Sequence, residues 1–314
     1  MRTKAARLVA YGEPLVVEEV ELPEPGPGEV LVEMEYAGVN PVDRYAALGW
    51  VAPDGPLPRT LGVEGVGTLD GRRVLLHGHG LASRRDGLWA GAALVPAEAA
   101  VAVPDGVEPV AAAAMGVAGV TAWRTVTELG RVAAADRVLV LGAAGGVGSM
   151  IVSLVRSVGA TVWGQTGSEA KAAWIRAHGA DHVVVADADG LARAAADLSP
   201  TVVFDPLGDG FTGAAIELLE PHGRLVTFGT SAGTEGSVPL QVLYRKGLTV
   251  LGYGGLIEPA DALAQGIAAA LEALREGRLQ ATVDEVLVLD AVNEAFERLA
   301  GRHVQGKLVL DLHA

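Results

Sequence analysis

A glycine-rich segment at residues 141–148 has the clearest capacity for chemistry in this 314-residue chain. It follows a continuous apolar run at residues 137–141, which is typical of a strand buried on both faces, and it precedes an apolar stripe at helical spacing. Glycines in such a turn let the backbone approach a pyrophosphate, whose charge then meets free N–H groups at the helix start. The dinucleotide pattern fits, with Ala143 in the first glycine position and Gly145 and Gly148 in the others. A tight packing turn is the alternative, and the flanking strand and helix disfavour it.

Residues 164–168, at the end of the next predicted strand, bear on which dinucleotide binds. NAD-selective sites usually place a carboxylate there, about 20 residues after the glycine turn, to hold the ribose 2′-hydroxyl. This chain has Gly-Gln-Thr-Gly-Ser instead. Thr166, Ser168 and Lys171 can all donate to a 2′-phosphate, so NADPH is the expected cofactor. A helix N-cap for Ser168 and a solvated helix lysine for Lys171 are the alternative interpretations.

The elements that must position this turn alternate along the middle of the chain. Helical stretches at 169–178 and 212–219 lie among strand-like segments at 161–163, 182–185, 201–204, 224–228 and 248–251. Strands that alternate with helices specify a parallel sheet covered on both faces, so the fold class is α/β. Residues 4–45 consist mainly of short strands punctuated by Pro and Gly.

The tail past Gly255 is expected to contain a helix, a strand, a second helix and a last strand at residues 259–276, 285–289, 291–300 and 307–312. Periodicity leaves open whether this tail extends the parallel sheet or returns to the first part. The length of the chain favours two domains, with a boundary near residue 112.

The composition excludes several classes of protein. The formal charge of −14 disfavours nucleic acid and anionic lipid as partners, and no apolar stretch approaches the roughly 20 residues that span a bilayer. The chain has no cysteine, which removes disulfides, cysteine nucleophiles and thiolate metal sites. Because we find no export signal, we expect the protein in the cytoplasm.

Several dispersed motifs occur in an order that resembles a known family. They are Ala37-Gly-Val-Asn-Pro-Val-Asp43, Leu61-Gly-Val-Glu-Gly-Val-Gly67, the segment 111–121, the Ala-Ala-Gly-Gly-Val-Gly loop at 143–148, Gly179-Ala-Asp-His182, Gly223-Arg-Leu-Val226 and Gly306-Lys307. Nearly end to end, the chain resembles the zinc-free quinone oxidoreductase branch of the medium-chain dehydrogenase/reductase superfamily. The resemblance implies a GroES-like, mainly β catalytic domain built from residues 1–112 and 256–314. A doubly wound Rossmann domain at residues 113–255 is inserted in it.

The resemblance also bears on metal binding. Zinc-dependent relatives hold their catalytic metal with a cysteine where this chain has Asn40, and many carry a four-cysteine structural zinc loop. Because the chain has no cysteine, we expect no bound metal. His77 and His79 look like a metal pair, but no third ligand lies nearby in the sequence.

Site residues follow from the resemblance by position. Three would line the substrate site: Asn40, Asp43 and Tyr45. The others would bind the cofactor: Thr121 at the nicotinamide end, Gly145, Gly146 and Val147 at the pyrophosphate, Gly167, Ser168 and Lys171 around the 2′-phosphate, and Phe228, Gly229 and Tyr253 beside the nicotinamide and its ribose.

Some of these positions have other interpretations. Asn40 is also a suitable turn residue before Pro41, and Asp43 is also a suitable cap for a short helix that begins at Arg44. Two departures from the family pattern weaken the transfer. Asp187 falls where the family often has a tyrosine against the adenosine phosphate, and a second family tyrosine near the substrate falls at Trp50 or Val51.

The expected function is an NADPH-dependent oxidoreductase that transfers hydride, without zinc, to a quinone or another electron-poor conjugated carbonyl. Without a metal, hydrogen-bond donors must stabilise the charge that develops on the acceptor oxygen, and the Tyr45 hydroxyl and the Asn40 amide are candidates. Alternatives are an enoyl or alkenal double-bond reductase and a non-catalytic NADPH-binding protein with a redox-sensing or structural role. The resemblance suggests a homodimer, formed through the edge of the Rossmann sheet near residues 248–251.

Overall fold

Two units make up the fold in the computed structural model, which describes residues 1–313. Unit 1 comprises Met1–Val120, Glu258–Arg275 and residues 281–313, and unit 2 comprises Thr121–Ile257 and Glu276–Gln280. Most of the C-terminal tail thus packs with the N-terminal part, which periodicity had left open. The first division lies eight residues beyond the expected one, because residues 113–120 pack with unit 1.

Unit 2 is built on a six-stranded parallel sheet. Its strands are β9 (Arg137–Val140), β10 (Thr161–Thr166), β11 (His182–Val185), β12 (Val202–Asp205), β13 (Arg224–Thr227) and β14 (Thr249–Gly252). Their order across the sheet is β11-β10-β9-β12-β13-β14, and all five pairings are parallel. The order reverses between β9 and β12, so the carboxyl ends of these two strands flank the crevice where open α/β sheets bind ligands.

One helix, α3, precedes the strands of unit 2, and five helices connect them. They are α3 (Val120–Arg124), α4 (Gly146–Val158), α5 (Glu169–Ala177), α6 (Ala188–Ala194), α7 (Gly210–Leu218) and α8 (Leu240–Lys246). The core between sheet and helices contains fully buried Leu139, Val203, Ile216 and Leu225. The helix after the glycine turn ends at Gly159 as predicted, because this residue adopts the left-handed conformation (φ 85°) that glycine accepts without strain.

Unit 1 has two sheets. One has the order β2-β1-β4, and the other has the order β15-β16-β3-β5-β6-β8 with β7 paired to β3. The N-terminal strands are β1 (Arg2–Leu8), β2 (Val16–Glu21), β3 (Glu29–Val39), β4 (Arg59–Thr60), β5 (Glu64–Leu69), β6 (Arg72–His77), β7 (Ala92–Pro96) and β8 (Ala100–Ala102). The tail contributes β15 (Val283–Val288) and β16 (Lys307–Asp311), and β16 pairs antiparallel with β3.

The helices of unit 1 are α1 (Pro41–Ala47), α2 (Pro109–Ala112), α9 (Ala260–Arg275) and α10 (Val292–Ala300), with a π-helical turn at Met115–Gly119. Its core contains fully buried Leu8, Val32, Leu76 and Trp89. The α/β class is confirmed, with a parallel Rossmann-like sheet in unit 2 and mainly antiparallel sheets in unit 1.

Some elements differ from the predictions. Helix α1 begins at Pro41 and not at Arg44, because Asn40 acts as the N-cap and proline suits the first helical position. Helices α6 and α8 were not predicted, and α6 starts at the N-cap Asp187. None of the helices between residues 1 and 313 has the length and apolar character needed to cross a bilayer.

Candidate functional site

The turn between β9 and α4 has little room for side chains. A Cβ atom on Gly148 would lie 2.4 Å from the Gly142 carbonyl oxygen, and Gly142 itself has a φ of +61°. The turn is also held from the neighbouring strand, because the Gly142 N–H donates to the Gln165 side-chain oxygen over 3.0 Å. The Ala143 N–H donates to the Gln165 carbonyl over 2.9 Å. The glycines are therefore required by close backbone approach, as the motif predicts.

Helix α4 starts without a side-chain cap. Its N-cap is Gly145, and within residues 1–313 the N–H groups of Gly146 and Val147 have no acceptor. Unpaired N–H groups at the start of a 13-residue helix attract an anion, because they combine free donors with the positive end of the helix dipole. These residues fit the diphosphate of a nicotinamide dinucleotide.

The end of β10 lies next to the glycine turn, since β10 pairs with β9. Gly167 has open space where a Cβ would be, and Ser168 is the N-cap of α5 with no hydrogen bond from its hydroxyl to the helix. Lys171 lies in the first turn of α5. Thr166 is buried, and its hydroxyl oxygen accepts from the Ser168 N–H over 3.2 Å, which leaves its own hydrogen free to donate.

The Asp187 carboxylate, which departs from the family pattern, has a structural task. Its Oδ1 accepts from the Gly190 N–H over 2.8 Å and caps α6. This carboxylate is therefore engaged at a helix start, where its charge is favourable. The Gln165 side-chain amide donates to the neighbouring Ala186 carbonyl, so the same glutamine contacts both this segment and the glycine turn.

The remaining predicted cofactor residues of unit 2 lie on α3 and after two strands. Phe228 and Gly229 follow β13 directly, and Tyr253 follows β14. They share the carboxyl edge of the sheet with the glycine turn, because all these strands are parallel. Thr121 lies on α3, and its carbonyl accepts from the Thr125 hydroxyl over 2.7 Å.

In unit 1, a buried network of polar side chains surrounds Asn40. The Asn40 amide nitrogen donates to Glu64 Oε1 over 2.8 Å and to Asp43 Oδ2 over 3.3 Å. Its amide oxygen accepts from Lys307 Nζ over 2.5 Å. Both amide hydrogens are thus engaged inside the protein, and Asn40 is only 2% exposed. A substrate that accepts from this amide would therefore have to displace a carboxylate.

Asp43 is fully buried in the same network. Its carboxylate accepts from the backbone N–H groups of Asn40 over 2.9 Å and Val63 over 3.0 Å. Burial raises the pKa of Asp43 to about 7, and the two backbone donors oppose this rise. The Asp43 side chain has no exposure to solvent, and it completes a capping box at the start of α1.

Tyr45, the third predicted catalytic residue, lies on α1 one turn after the cap. Its ring stacks on Trp50 with 5.6 Å between ring centroids, and Trp50 is 70% exposed. Tyr45 is half-buried, and within residues 1–313 no protein group accepts from its hydroxyl. Of the three predicted residues, this one alone has a donor available to a ligand.

Glu64 and Lys307 were missed as site residues, although both lie within the quoted motifs. The available signal was a charge inside an apolar strand: Glu64 opens β5 between Val63 and Val66, and Lys307 opens the run Leu308–Leu310. Charged residues are rarely buried without a partner, so two opposite ones in core strands predict a pair. Their proximity depends on strand order, which the sequence left open.

His77 also belongs to this buried region. Its Nδ1–H donates to the Val63 carbonyl over 2.7 Å, and burial lowers the pKa of the imidazole. Across residues 1–313, no group of three or more His, Asp or Glu side chains is arranged to hold a metal ion.

Two family models match the chain. The alcohol dehydrogenase GroES-like domain matches residues 26–105, and the zinc-binding dehydrogenase domain matches residues 146–271. Together they cover well over half of the chain. With the two units described above, they show that the chain belongs to the medium-chain dehydrogenase/reductase superfamily.

Individual relatives narrow the assignment. The chain is 28% identical to a quinone oxidoreductase of Pseudomonas aeruginosa, over 98% of this chain and 99% of that one. Two solved structures cover nearly all of both chains. One is an NAD-dependent alcohol dehydrogenase (TM-score 0.88, 28% identity, 99% and 100% coverage), and the other is a mycobacterial protein complexed with NADPH (TM-score 0.85, 25% identity, 98% and 99% coverage). The chain falls in the quinone oxidoreductase-like branch of the superfamily, as its motifs predict.

The raised pKa of Asp43 predicts how stability depends on pH. The folded state holds this proton up to about pH 7, whereas the unfolded state releases it near 3.8. The stabilisation from the proton is therefore complete below about pH 4 and is lost as the pH rises through 7. Relative to Asp43→Asn, the free energy of unfolding of the parent protein should fall by at most about 1.4 kcal/mol per pH unit in this window.

Urea unfolding of both forms between pH 5 and pH 8 measures this difference. Asp105→Asn is the matched control, because Asp105 is an exposed carboxylate in a turn. Parallel pH profiles for the parent protein and Asp43→Asn would contradict the prediction.

Proposed function

We propose that this chain is an NADPH-dependent reductase that transfers hydride to a quinone or another conjugated carbonyl acceptor without bound zinc. The observation that carries the proposal is the start of α4, where Gly146 and Val147 present unpaired N–H groups to an anion. A diphosphate satisfies both donors, and no side chain competes for them. An oxidoreductase of this superfamily needs such a site first, because the cofactor supplies the hydride when bound.

The choice of NADPH over NADH rests on the segment after β10. Residues 164–168 have no carboxylate to repel a 2′-phosphate, and the Ser168 hydroxyl is not used as a cap. Lys171 adds a cation in the first turn of α5. The nearest departure from the family pattern, Asp187, lies at the N-cap of α6 and accepts from the Gly190 N–H.

The Tyr45 hydroxyl is the proposed donor to the acceptor oxygen. Hydride transfer places negative charge on that oxygen, and a fixed donor there lowers the barrier. A single phenol polarises a carbonyl weakly compared with a metal, which suits acceptors that are already electrophilic. Quinones and α,β-unsaturated carbonyls meet this condition, and unactivated alcohols do not.

Zinc independence is supported by what surrounds Asn40, the position of the metal-binding cysteine in the zinc-dependent relatives. The chain has no cysteine, and the two oxygens that face a cation here, Asn40 Oδ1 and Glu64 Oε1, already accept from Lys307 Nζ. The ammonium group thus occupies the position at which a cation would contact these two oxygens.

A homodimer is also part of the proposal. Strand β14 is the last strand of its sheet, so one row of its backbone groups has no partner strand among the described residues. Val250 on this strand is 37% exposed, and the preceding helix α8 exposes Leu240 and Tyr244 to about 70%. We propose that β14 pairs with the same strand of a second copy.

The test of the function is a titration with NADPH and NADH, followed by NADPH-oxidation assays on a panel of quinones and enones. Turnover of quinones supports the proposal. Turnover of enones alone would favour the double-bond reductase, and tight NADPH binding without turnover on any of them would favour a non-catalytic binding protein.

Cofactor selectivity is tested by Lys171→Met. Loss of one charge-assisted hydrogen bond to a phosphate should raise the Kd for NADPH about tenfold and leave the Kd for NADH unchanged. Arg176→Met is the matched control, because it removes a cation from the exposed end of the same helix. An equal change for both cofactors in Lys171→Met would argue against the role of Lys171.

The role of Tyr45 is tested by Tyr45→Phe. We expect kcat to fall about 10- to 100-fold, with the Kd for NADPH unchanged, because the phenol acts on the charge that develops in the transition state. Tyr36→Phe is the control, since Tyr36 is another half-buried tyrosine of unit 1. Steady-state kinetics that leave kcat of Tyr45→Phe at the parent value would refute the assignment.

The dimer is tested by Val250→Lys, which places a charge on the exposed edge strand. Sedimentation of the parent protein should give twice the chain mass of 32.1 kDa, and the variant should sediment as a monomer at micromolar concentration. Val158→Lys, at an exposed apolar position on α4, is the control. A parent protein that is monomeric at all concentrations would rule out this interface.

A further inference from the structure

Unit 1 contains an ion pair that is almost completely removed from water. The Lys307 ammonium lies 2.8 Å from Glu64 Oε1, and the two side chains are 4% and 0% exposed. Removing charges from water is costly, and such a pair persists only where further hydrogen bonds satisfy both groups. The Asn40 side chain bonds to both partners of this pair, so it is held in a fixed position.

Oxygen atoms satisfy the ammonium on three sides. Lys307 Nζ donates to Glu64 Oε1, to Asn40 Oδ1 over 2.5 Å, and to the Val39 carbonyl over 3.3 Å. An ammonium has three hydrogens, so its capacity is used completely. Glu64 Oε2 in turn accepts from the Val117 N–H over 2.7 Å. The pair thus connects β16, β5, the N-cap of α1 and the π-helical turn.

The surrounding backbone makes room for this pair with glycines. A Cβ atom on Gly38 would lie 2.1 Å from Glu64 Oε1, and one on Gly116 would lie 2.9 Å from the Glu64 Cβ. Gly306, which precedes Lys307, has a φ of +95°, and a Cβ there would lie 2.3 Å from the Thr282 carbonyl oxygen. Gly38 and Gly116 thus leave room for the Glu64 side chain, and Gly306 lets the chain pass close to Thr282 just before Lys307.

The pair acts on helix α1 through Asn40. Asn40 is the N-cap of this seven-residue helix, and its amide is fixed between Lys307 on one side and Glu64 and Asp43 on the other. A helix of two turns has few hydrogen bonds of its own, so its direction depends on its cap. Tyr45 lies on this helix.

We propose that Lys307 and Glu64 are positioning residues, which hold the Asn40 cap and thereby fix the direction of α1 and the place of the Tyr45 hydroxyl. The inference rests on the proposed function for its kinetic consequence only. Its structural consequence, the protection of the amides that the network holds, is independent of any substrate.

The experiment compares Lys307→Met, Lys307→Arg, Glu64→Gln and the double variant Lys307→Met/Glu64→Gln. Lys4→Met is the matched control, because Lys4 forms an exposed ion pair with Asp290 in the same unit. Amide hydrogen exchange is followed at Asn40, Val63 and Val117, whose N–H groups bond to carboxylates of the network. Steady-state kinetics with a quinone and NADPH give kcat and KM.

We expect Lys307→Met to lose protection at these three amides and to lower kcat about tenfold with little change in either KM, because the hydroxyl is displaced while the binding surfaces remain. Lys307→Arg should recover part of both, since it keeps the charge. The double variant should recover thermal stability, because no unpaired charge is left, but its kcat should stay low, because the ammonium group that holds Asn40 Oδ1 is gone.

Two results would overturn the inference. One is normal protection and normal kcat in Lys307→Met. The other is a double variant that regains both stability and full kcat, because the pair would then serve folding only. If none of the quinones and enones supports NADPH oxidation by the parent protein, the proposed function fails. Loss of amide protection in Lys307→Met and its recovery in Lys307→Arg would still support the network.

Discussion

The close approach of Gly148 to the Gly142 carbonyl is the constraint on which the proposed cofactor site depends. No side chain fits between the end of β9 and the start of α4, so the helix begins against the strand with a glycine as its cap. A serine or aspartate cap would satisfy the first N–H groups from inside the chain. Because Gly145 has no side chain, these donors remain available to an anion, and the same contact that packs the helix also creates the site.

In unit 1, the main feature is the set of contacts that holds the short helix α1 in place. Helix α1 is too short to be stable alone, and its two predicted polar residues, Asn40 and Asp43, are spent on its start. The charged groups that bond to the Asn40 side chain come from distant parts of the chain, Glu64 on β5 and Lys307 on β16. Only Tyr45, one turn further, keeps a hydroxyl for other partners. Asn40 and Asp43 thus stabilise the start of the helix, whereas the Tyr45 hydroxyl can contact a ligand.

The local sequence pattern was sufficient to predict those helices, strands and caps that depend only on residues near them in the sequence. The strand and helix around the glycine turn, the cap at Gly159 and the strand at His182–Val185 follow from apolar periodicity and glycine chemistry. It failed at α1, because the extended residue Asn40 and the proline after it form a helix start in this context and a turn in others. Helices α6 and α8 have only seven residues each, about two turns, so periodicity did not reveal them.

The sequence by itself determined the class of the protein and the place of its glycine turn, because both depend on residue types within one strand-turn-helix segment and on motif order. It also excluded thiolate ligands, since that needs only a count. Tertiary structure decided what Asn40 and Asp43 do, because hydrogen-bond capacity is spent on whichever groups the fold brings near. It alone joined Lys307 to Glu64, since the pairing of β16 with β3 and of β3 with β5 brings together residues 243 positions apart.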